Sequence, residues 1–170
     1  MKKAINKIAL ISILFLGLVS CENNGYEDFK QEATPSLAMN GEWYITITDE
    51  ASGEVQVEHA LHKTFDSNDG KMYITDRILA SDPPKFTGWW LETKLDVNTK
   101  DLTFSITDAL NTADESKVKI TEGKIIKNAA KSKDGNVVDS IYFKAVFDYE
   151  PTQVLIYSGH KRTGFLEDDF

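Results

Sequence analysis

Three histidines, one cysteine and a scatter of serines and carboxylates are what this 170-residue chain offers for chemistry. Hydrolysis needs a nucleophile, a base and a group that orients the base. The best Ser/His pair is Ser158 and His160. They are two apart on an expected strand and therefore share a face. No third member is specified and there is no Gly-x-Ser-x-Gly elbow, so an exposed strand end is the competing reading. Metal binding has less support. His59 and His62 are three apart on an extended segment and point to opposite faces, and His160 is distant in sequence. Residues 66–70, DSNDG, begin like a calcium loop but lack the third ligand before the glycine and the later Glu. A hairpin turn accounts for them. These residues require no metal and no cofactor.

The lone thiol, Cys21, follows a segment with three parts: Lys2, Lys3 and Lys7, an apolar run over 8–19, and Ser20. That is the build of a secretion signal. The run is too short for a comfortable membrane span, which takes about 20 residues. One cysteine also excludes an internal disulfide. Leu18-Val19-Ser20-Cys21 resembles the lipobox of bacterial lipoproteins. The resemblance implies cleavage before Cys21 and a diacylglycerol on its sulfur. It places the protein in the cell envelope, anchored to the outer membrane of a diderm bacterium through N-terminal lipid, with the leaflet and side left open. An ordinary signal with a stray cysteine is the alternative. The chain then divides into a signal at 1–20, a polar tether at 21–40 and one β-barrel domain at 41–170. Within the tether, Tyr26, Phe29 and Leu37 are candidates to dock as a plug. Cleavage leaves 16 basic against 27 acidic residues, a net charge of −11. Such a surface argues against nucleic acid and against an anionic membrane face.

From residue 41 the sequence alternates. Trp43, Ile45 and Ile47 face one way while Tyr44, Thr46 and Thr48 face the other, a strand pattern. Further strands are predicted at 54–65, with Val55, Val57, Leu61 and Phe65 on one side, and at 71–79, 86–97, 102–106, 117–128, 137–149 and 152–159, with a bulge at Gly123. Residues 107–116 read as a loop, and 127–133 as a short helical turn at most. Eight antiparallel strands in hairpin order suit an all-β, closed up-and-down barrel without sheet edges; a two-sheet sandwich is the alternative.

The first strand opens Gly41-Glu42-Trp43, and the last is followed by GHKRTGF. The first motif resembles the Gly-x-Trp signature of lipocalins and other calycins. In that group the Trp closes one end of the barrel under a basic residue that follows the last strand. The resemblance matches that residue to Arg162, with Lys161 as the substitute; an Arg stacked on Trp is a sound cation–π pair. The ending KRTGFLEDDF is similar to that of lipocalin-like lipoproteins of Bacteroides and related bacteria, labelled "lipid-binding putative hydrolase", a family name rather than an activity.

An eight-stranded barrel is either filled by its own side chains or holds one small ligand. The richer strand faces give Ile45, Ile47, Val57, Leu61, Met72, Ile74, Trp89, Leu91, Phe104, Ile120, Ile141, Phe143 and Phe147 as the interior. Ten of these are the candidate ligand lining: Ile45, Ile47, Leu61, Met72, Ile74, Trp89, Leu91, Phe104, Phe143 and Phe147. Trp90 then faces outward beside Phe86. The leading expectation is a non-catalytic, lipid-anchored protein that binds a small apolar ligand or lipid. A structural subunit of an envelope complex, with an unnamed protein partner, and a hydrolase of lipid or ester substrates are the alternatives. Lipidation is directly testable. Cys21→Ser is expected to abolish incorporation of a fatty-acid analogue in cells and cleavage of the signal; label kept by the variant would refute the lipobox.

Overall fold

The computed structural model describes residues 36–170. Cys21, Tyr26, Phe29 and the signal therefore lie outside the described residues. Ten strands follow one another: β1 (Gly41–Asp49), β2 (Val55–Asp66), β3 (Lys71–Thr75), β4 (Arg77–Ile78), β5 (Lys85–Phe86), β6 (Glu92–Asn98), β7 (Thr103–Leu110), β8 (Lys117–Lys131), β9 (Val137–Phe147) and β10 (Leu155–Lys161). Eight of them close into an antiparallel barrel in chain order, sealed by β1 against β10, while β4 and β5 form a separate ribbon. The fold is an all-β up-and-down barrel, not a sandwich.

Alternation alone would carry each side chain predictably in or out, but bulges reset it. Ile45 and Ile47 of β1 pair with Ala60 and Val57 of β2, so β2 holds one extra residue there, and His59 takes φ 50°. Beyond it Ala60, His62 and Thr64 point inward and are buried. Leu61 therefore does not face the interior, and Phe65 and Val55 are exposed, contrary to the face drawn from the sequence. The bulge expected at Gly123 is present, with Glu122 at φ 56°. A side chain at 123 would strike the ring of Phe104 at 2.4 Å, so only glycine lets that ring pack there. The segment 127–133 is no helical turn. β8 runs on through Lys131, bulged at Asn128, whose N–H is held by Asp139 Oδ1 at 3.0 Å. The fourth predicted strand starts late, at Glu92, because residues 87–91 are tied to Asp76 instead of a neighbouring strand.

One end of the barrel is closed. Trp43, fully buried, donates from Nε1 to Thr64 Oγ1 at 2.9 Å, and that hydroxyl donates to Met39 O at 2.7 Å. Met39, not Leu37, is the plug: Met39 is buried and Leu37 is 46% exposed. The cation over the Trp43 ring is Lys161, at 5.8 Å, and not Arg162. Register explains the difference. Lys161 lies directly opposite Trp43, so the two share a face, whereas Arg162 is one residue further on and emerges outside.

Outside, Arg162 anchors the tail. Its Nε donates to Asp169 Oδ1 at 2.7 Å and its Nη1 to Glu42 Oε2 at 2.6 Å, while Tyr44 OH donates to the same Asp169 oxygen at 2.8 Å. Buried Asp168 accepts from Asp134 N at 2.7 Å, Thr163 Oγ1 at 2.8 Å and Asn136 Nδ2 at 3.0 Å. Burial pushes its carboxyl up, but these donors together outweigh that and hold it well below the usual carboxylate range. Phe170 stacks on His59 at 3.7 Å.

Trp43→Ala is expected to cost about 3–5 kcal/mol, as for a buried aromatic. In double-mutant cycles Trp43 should couple to Lys161, and Arg162 to Asp169. Trp43 and Arg162 should be additive within about 0.5 kcal/mol. Coupling of Trp43 to Arg162 alone would reverse the assignment.

Candidate functional site

The barrel centre is packed. Phe143 stacks on Tyr157 at 4.4 Å and meets Phe104 edge-on at 5.7 Å. A cavity able to hold a ligand leaves reachable surface on its lining, and Ile45, Ile47, Met72, Ile74, Leu91 and Phe143 have none. Of the ten candidate lining residues, these six, with Phe104 and Phe147, are brought together as packing partners in one core cluster. Leu61 faces away from it, and Trp89 sits at its edge, partly buried.

Trp89 marks the other end of the barrel, opposite Trp43. Between β3 and β6 the chain leaves the barrel wall as a strap, residues 76–91, that carries the β4–β5 ribbon. It is held at its base by Asp76. Asp76 N donates to Leu91 O at 3.0 Å, Thr87 N donates to Asp76 O at 2.9 Å, and Leu91 N donates to Asp76 Oδ1 at 3.0 Å. Thr87 Oγ1 also donates to Leu61 O on β2 at 2.6 Å. The outer part of the strap is apolar and exposed: Leu79 at 62%, Trp90 at 56%, and Ile78, with Phe86 stacked on Trp90 at 5.4 Å. Trp90 thus faces outward beside Phe86, as the sequence suggested. A cleft of about 360 Å³ lies here, lined by Gly88, Trp89, Trp90, Asp114 and Tyr149. Trp89 Nε1 donates to Tyr149 OH across it at 3.0 Å. A cleft of about 620 Å³ on the barrel wall along β6, β7 and β8 is lined by Asp96, Glu122 and Lys124 among others, charges that do not suit an apolar ligand.

Directly beneath the strap lie three groups that the sequence reading missed: His62, Asp76 and Tyr157, each at least 99% buried. The His62 and Tyr157 rings meet edge-on at 5.8 Å. His62 Nδ1 lies 3.0 Å from Ala60 O, which makes Nδ1 the N–H donor and Nε2 a bare acceptor. His62 Nε2, Asp76 Oδ2 and Tyr157 OH have no hydrogen-bond partner. Each such group costs about 1–3 kcal/mol. Burial pushes the His62 imidazole down to about 4. Burial pushes the Asp76 carboxyl up to about 6, against the N–H groups of Leu91 and Gly88 that favour its ionised form. It also raises the Tyr157 phenol, with the Asp76 charge adding to the effect.

The other expected site residues stay apart. Ser158 and His160 both emerge on the outer face of β10, where Ser158 is exposed and His160 packs on Tyr44 and Phe170 at 6.0 Å. No hydrogen bond joins Ser158 to His160. His59 and His62 lie on opposite faces, and among the described residues no three His, Cys, Asp or Glu side chains converge as a metal site would require. The DSNDG carboxylates serve a turn: Asp66 Oδ1 accepts from Asn68 N at 2.5 Å, and Asp69 pairs with Lys94 at 2.8 Å.

The fold is a lipocalin-like barrel closed at the Trp43 end and strapped at the other. The family described as "lipid-binding putative hydrolase" matches residues 28–166. The chain belongs to this family, and membership together with the barrel supports a lipid-binding role. No curated protein matches the chain.

The buried pair makes a pH signature. His62, depressed from 6.5 to about 4, contributes stability above pH 6.5 that is lost as pH falls through 4, up to about 3 kcal/mol. Asp76, raised from 3.8 to about 6, contributes stability below pH 3.8 that is lost as pH rises through 6, also up to about 3 kcal/mol. Between pH 6 and 4 the two oppose each other. Relative to the parent, Asp76→Asn should lose stability on acidification across that window and His62→Gln should gain it. Urea midpoints against pH check this; variants that both track the parent would show that the two groups titrate normally.

Proposed function

We propose that the protein is a non-enzymatic, lipid-anchored binding protein of the bacterial cell envelope, and that it takes the apolar part of a lipid at the strapped mouth of its barrel. The observation that carries the reading is the exposed apolar strap beside the mouth cleft, on a barrel of a lipid-binding family. A volume of about 360 Å³ is at the lower end for a small-molecule site. The cleft therefore suits one acyl chain rather than a whole diacyl lipid. Trp90, Phe86 and Leu79 supply the apolar area that such a chain would cover. The packed centre supports placing the ligand at the mouth. Anchoring through Cys21 would keep the protein at a bilayer, the source of its ligand.

The exposed Trp90, stacked on half-buried Phe86, also suits a protein partner in an envelope complex, and crosslinking in intact cells separates the two readings. Hydrolysis has weaker support, because no hydrogen bond joins Ser158 to His160; Ser158→Ala should leave any ester turnover unchanged. For lipid binding, tryptophan emission should shift to the blue when a single-chain lipid is added below its micellar concentration. Trp90→Ala should raise Kd about tenfold, or about 1.4 kcal/mol. No shift with any single-chain lipid, together with no lipid retained in native mass spectrometry of the purified protein, would sink the reading.

A further inference from the structure

Three buried polar atoms without hydrogen-bond partners require an occupant or a reason. His62 Nε2, Asp76 Oδ2 and Tyr157 OH are buried and unpartnered. They belong to three separate elements: β2, the base of the strap, and β10. Gly88 covers Asp76 and His62, and the His62 ring meets that of Tyr157 edge-on at 5.8 Å. A Cβ at this position would stand 2.6 Å from Asp76 Oδ2 and 3.0 Å from His62 Cε1. The same glycine lines the mouth cleft. One backbone segment therefore separates the cleft from the polar groups. That segment is held by the bonds of Thr87 and Leu91 to Asp76 and of Thr87 to Leu61, by Asn111 Nδ2 donating to Trp90 O at 2.9 Å, by Trp89 Nε1 donating to Tyr149 OH, and by the buried Leu91 side chain.

The chemistry of the three atoms is specific. Nε2 of His62 is an acceptor because Nδ1 holds the proton. A carboxylate oxygen is an acceptor, and a phenol can donate or accept. Two acceptors and one hydroxyl complement a group that donates two hydrogen bonds and accepts one, or a cation that donates three. They repel a carboxylate or a phosphate, which brings only acceptors and negative charge. Burial leaves no room for such a group while Gly88 is down, so the site opens only when the strap rises. Lifting the strap would give His62 Nε2, Asp76 Oδ2 and Tyr157 OH access to partners, in exchange for the main-chain bonds of residues 87–91 and the burial of Leu91.

We propose that residues 87–91 are a gate, and that His62, Asp76 and Tyr157 beneath it are the subsite for a hydrogen-bond-donating head group, a hydroxyl or a primary amine, of a single-chain amphiphile. The proposal rests on the reading of the mouth as the chain site. It adds which head group is chosen and by which residues. Tyr157 and His62 act on the head alone, while Trp90 acts on the chain.

The test compares three probes with the same twelve-carbon chain at pH 7.5: dodecylamine, 1-monododecanoylglycerol and dodecanoate, each titrated below micelle formation and followed by tryptophan emission. The amine and the monoacylglycerol should bind at least tenfold tighter than the carboxylate. Tyr157→Phe, which keeps the ring and its packing, should reduce that preference to threefold or less and leave dodecanoate unchanged. Asp76→Asn should remove the preference for the amine in particular. Trp90→Ala should weaken all three probes by the same factor. Equal affinities for the three probes, a preference for the carboxylate, or a preference untouched by Tyr157→Phe would overturn the subsite while leaving chain binding at the mouth intact. Binding of none of them would overturn both readings. Should Asp76→Asn fail to fold, Tyr157→Phe decides alone.

Discussion

Everything in this barrel depends on β1 having partners on both sides. It pairs with β2, its neighbour in sequence, and with β10, more than a hundred residues later. The second pairing is a long loop closure, with an entropic cost that local contacts do not offset. The protein reinforces that seam twice. Inside, Trp43 is locked to Thr64 and Met39, with the Lys161 cation over its ring. Outside, Arg162 joins Glu42 on β1 to Asp169 in the tail. Once the seam holds, there are no free edges among the eight strands, and alternate side chains are committed to the interior.

The barrel was legible in the sequence because alternation and turns are local signals: Trp43, Ile45 and Ile47 lie where their spacing puts them. What was not legible follows from single extra residues. An inserted residue at His59 inverts the rest of β2, so Leu61 exchanges places with His62. No alternation pattern reports such a shift, because His59 is an ordinary residue held at positive φ by its ladder. The Trp43 partner was misassigned for a related reason. Lys161 and Arg162 are adjacent and both basic, and only the register of β1 against β10 says which shares the face of Trp43. Tyr157 offered a signal that went unused, since it alternates with Leu155 and so had to point inward. Asp76 offered less: an acid at the point where an apolar strand leaves the wall.

The two ends of the molecule differ in how their side chains are paired and packed. At the Trp43 end and in the centre apolar side chains interlock and the indole N–H is paired. The mouth exposes Leu79 and Trp90, and it buries His62, Asp76 and Tyr157 without partners. Such local conflicts are costly and persist where the surrounding structure outweighs them, which is typical of functional sites. Exposed apolar side chains and unpartnered buried polar atoms thus coincide at the strapped end, while on the seam side Asn40 Oδ1 and His160 Nε2 are also buried without partners.

The strap is built in two parts. Asp76 fixes its base through main-chain groups, with Leu91 N on its side chain and Thr87 N on its carbonyl. The exposed ribbon beyond is fastened by its own two-stranded pairing, Arg77 with Phe86 and Ile78 with Lys85, and adds nothing to the barrel wall. A ribbon with its own internal bonds can move as a body without unzipping the barrel, because no ladder bond of the eight strands passes through it. Gly88 and Thr87 lie between that ribbon and the wall. A change there is local, whereas a change of equal size in β1 would open the seam. The ribbon that carries Ile78 and Phe86 thus takes no part in the ladder that closes the barrel.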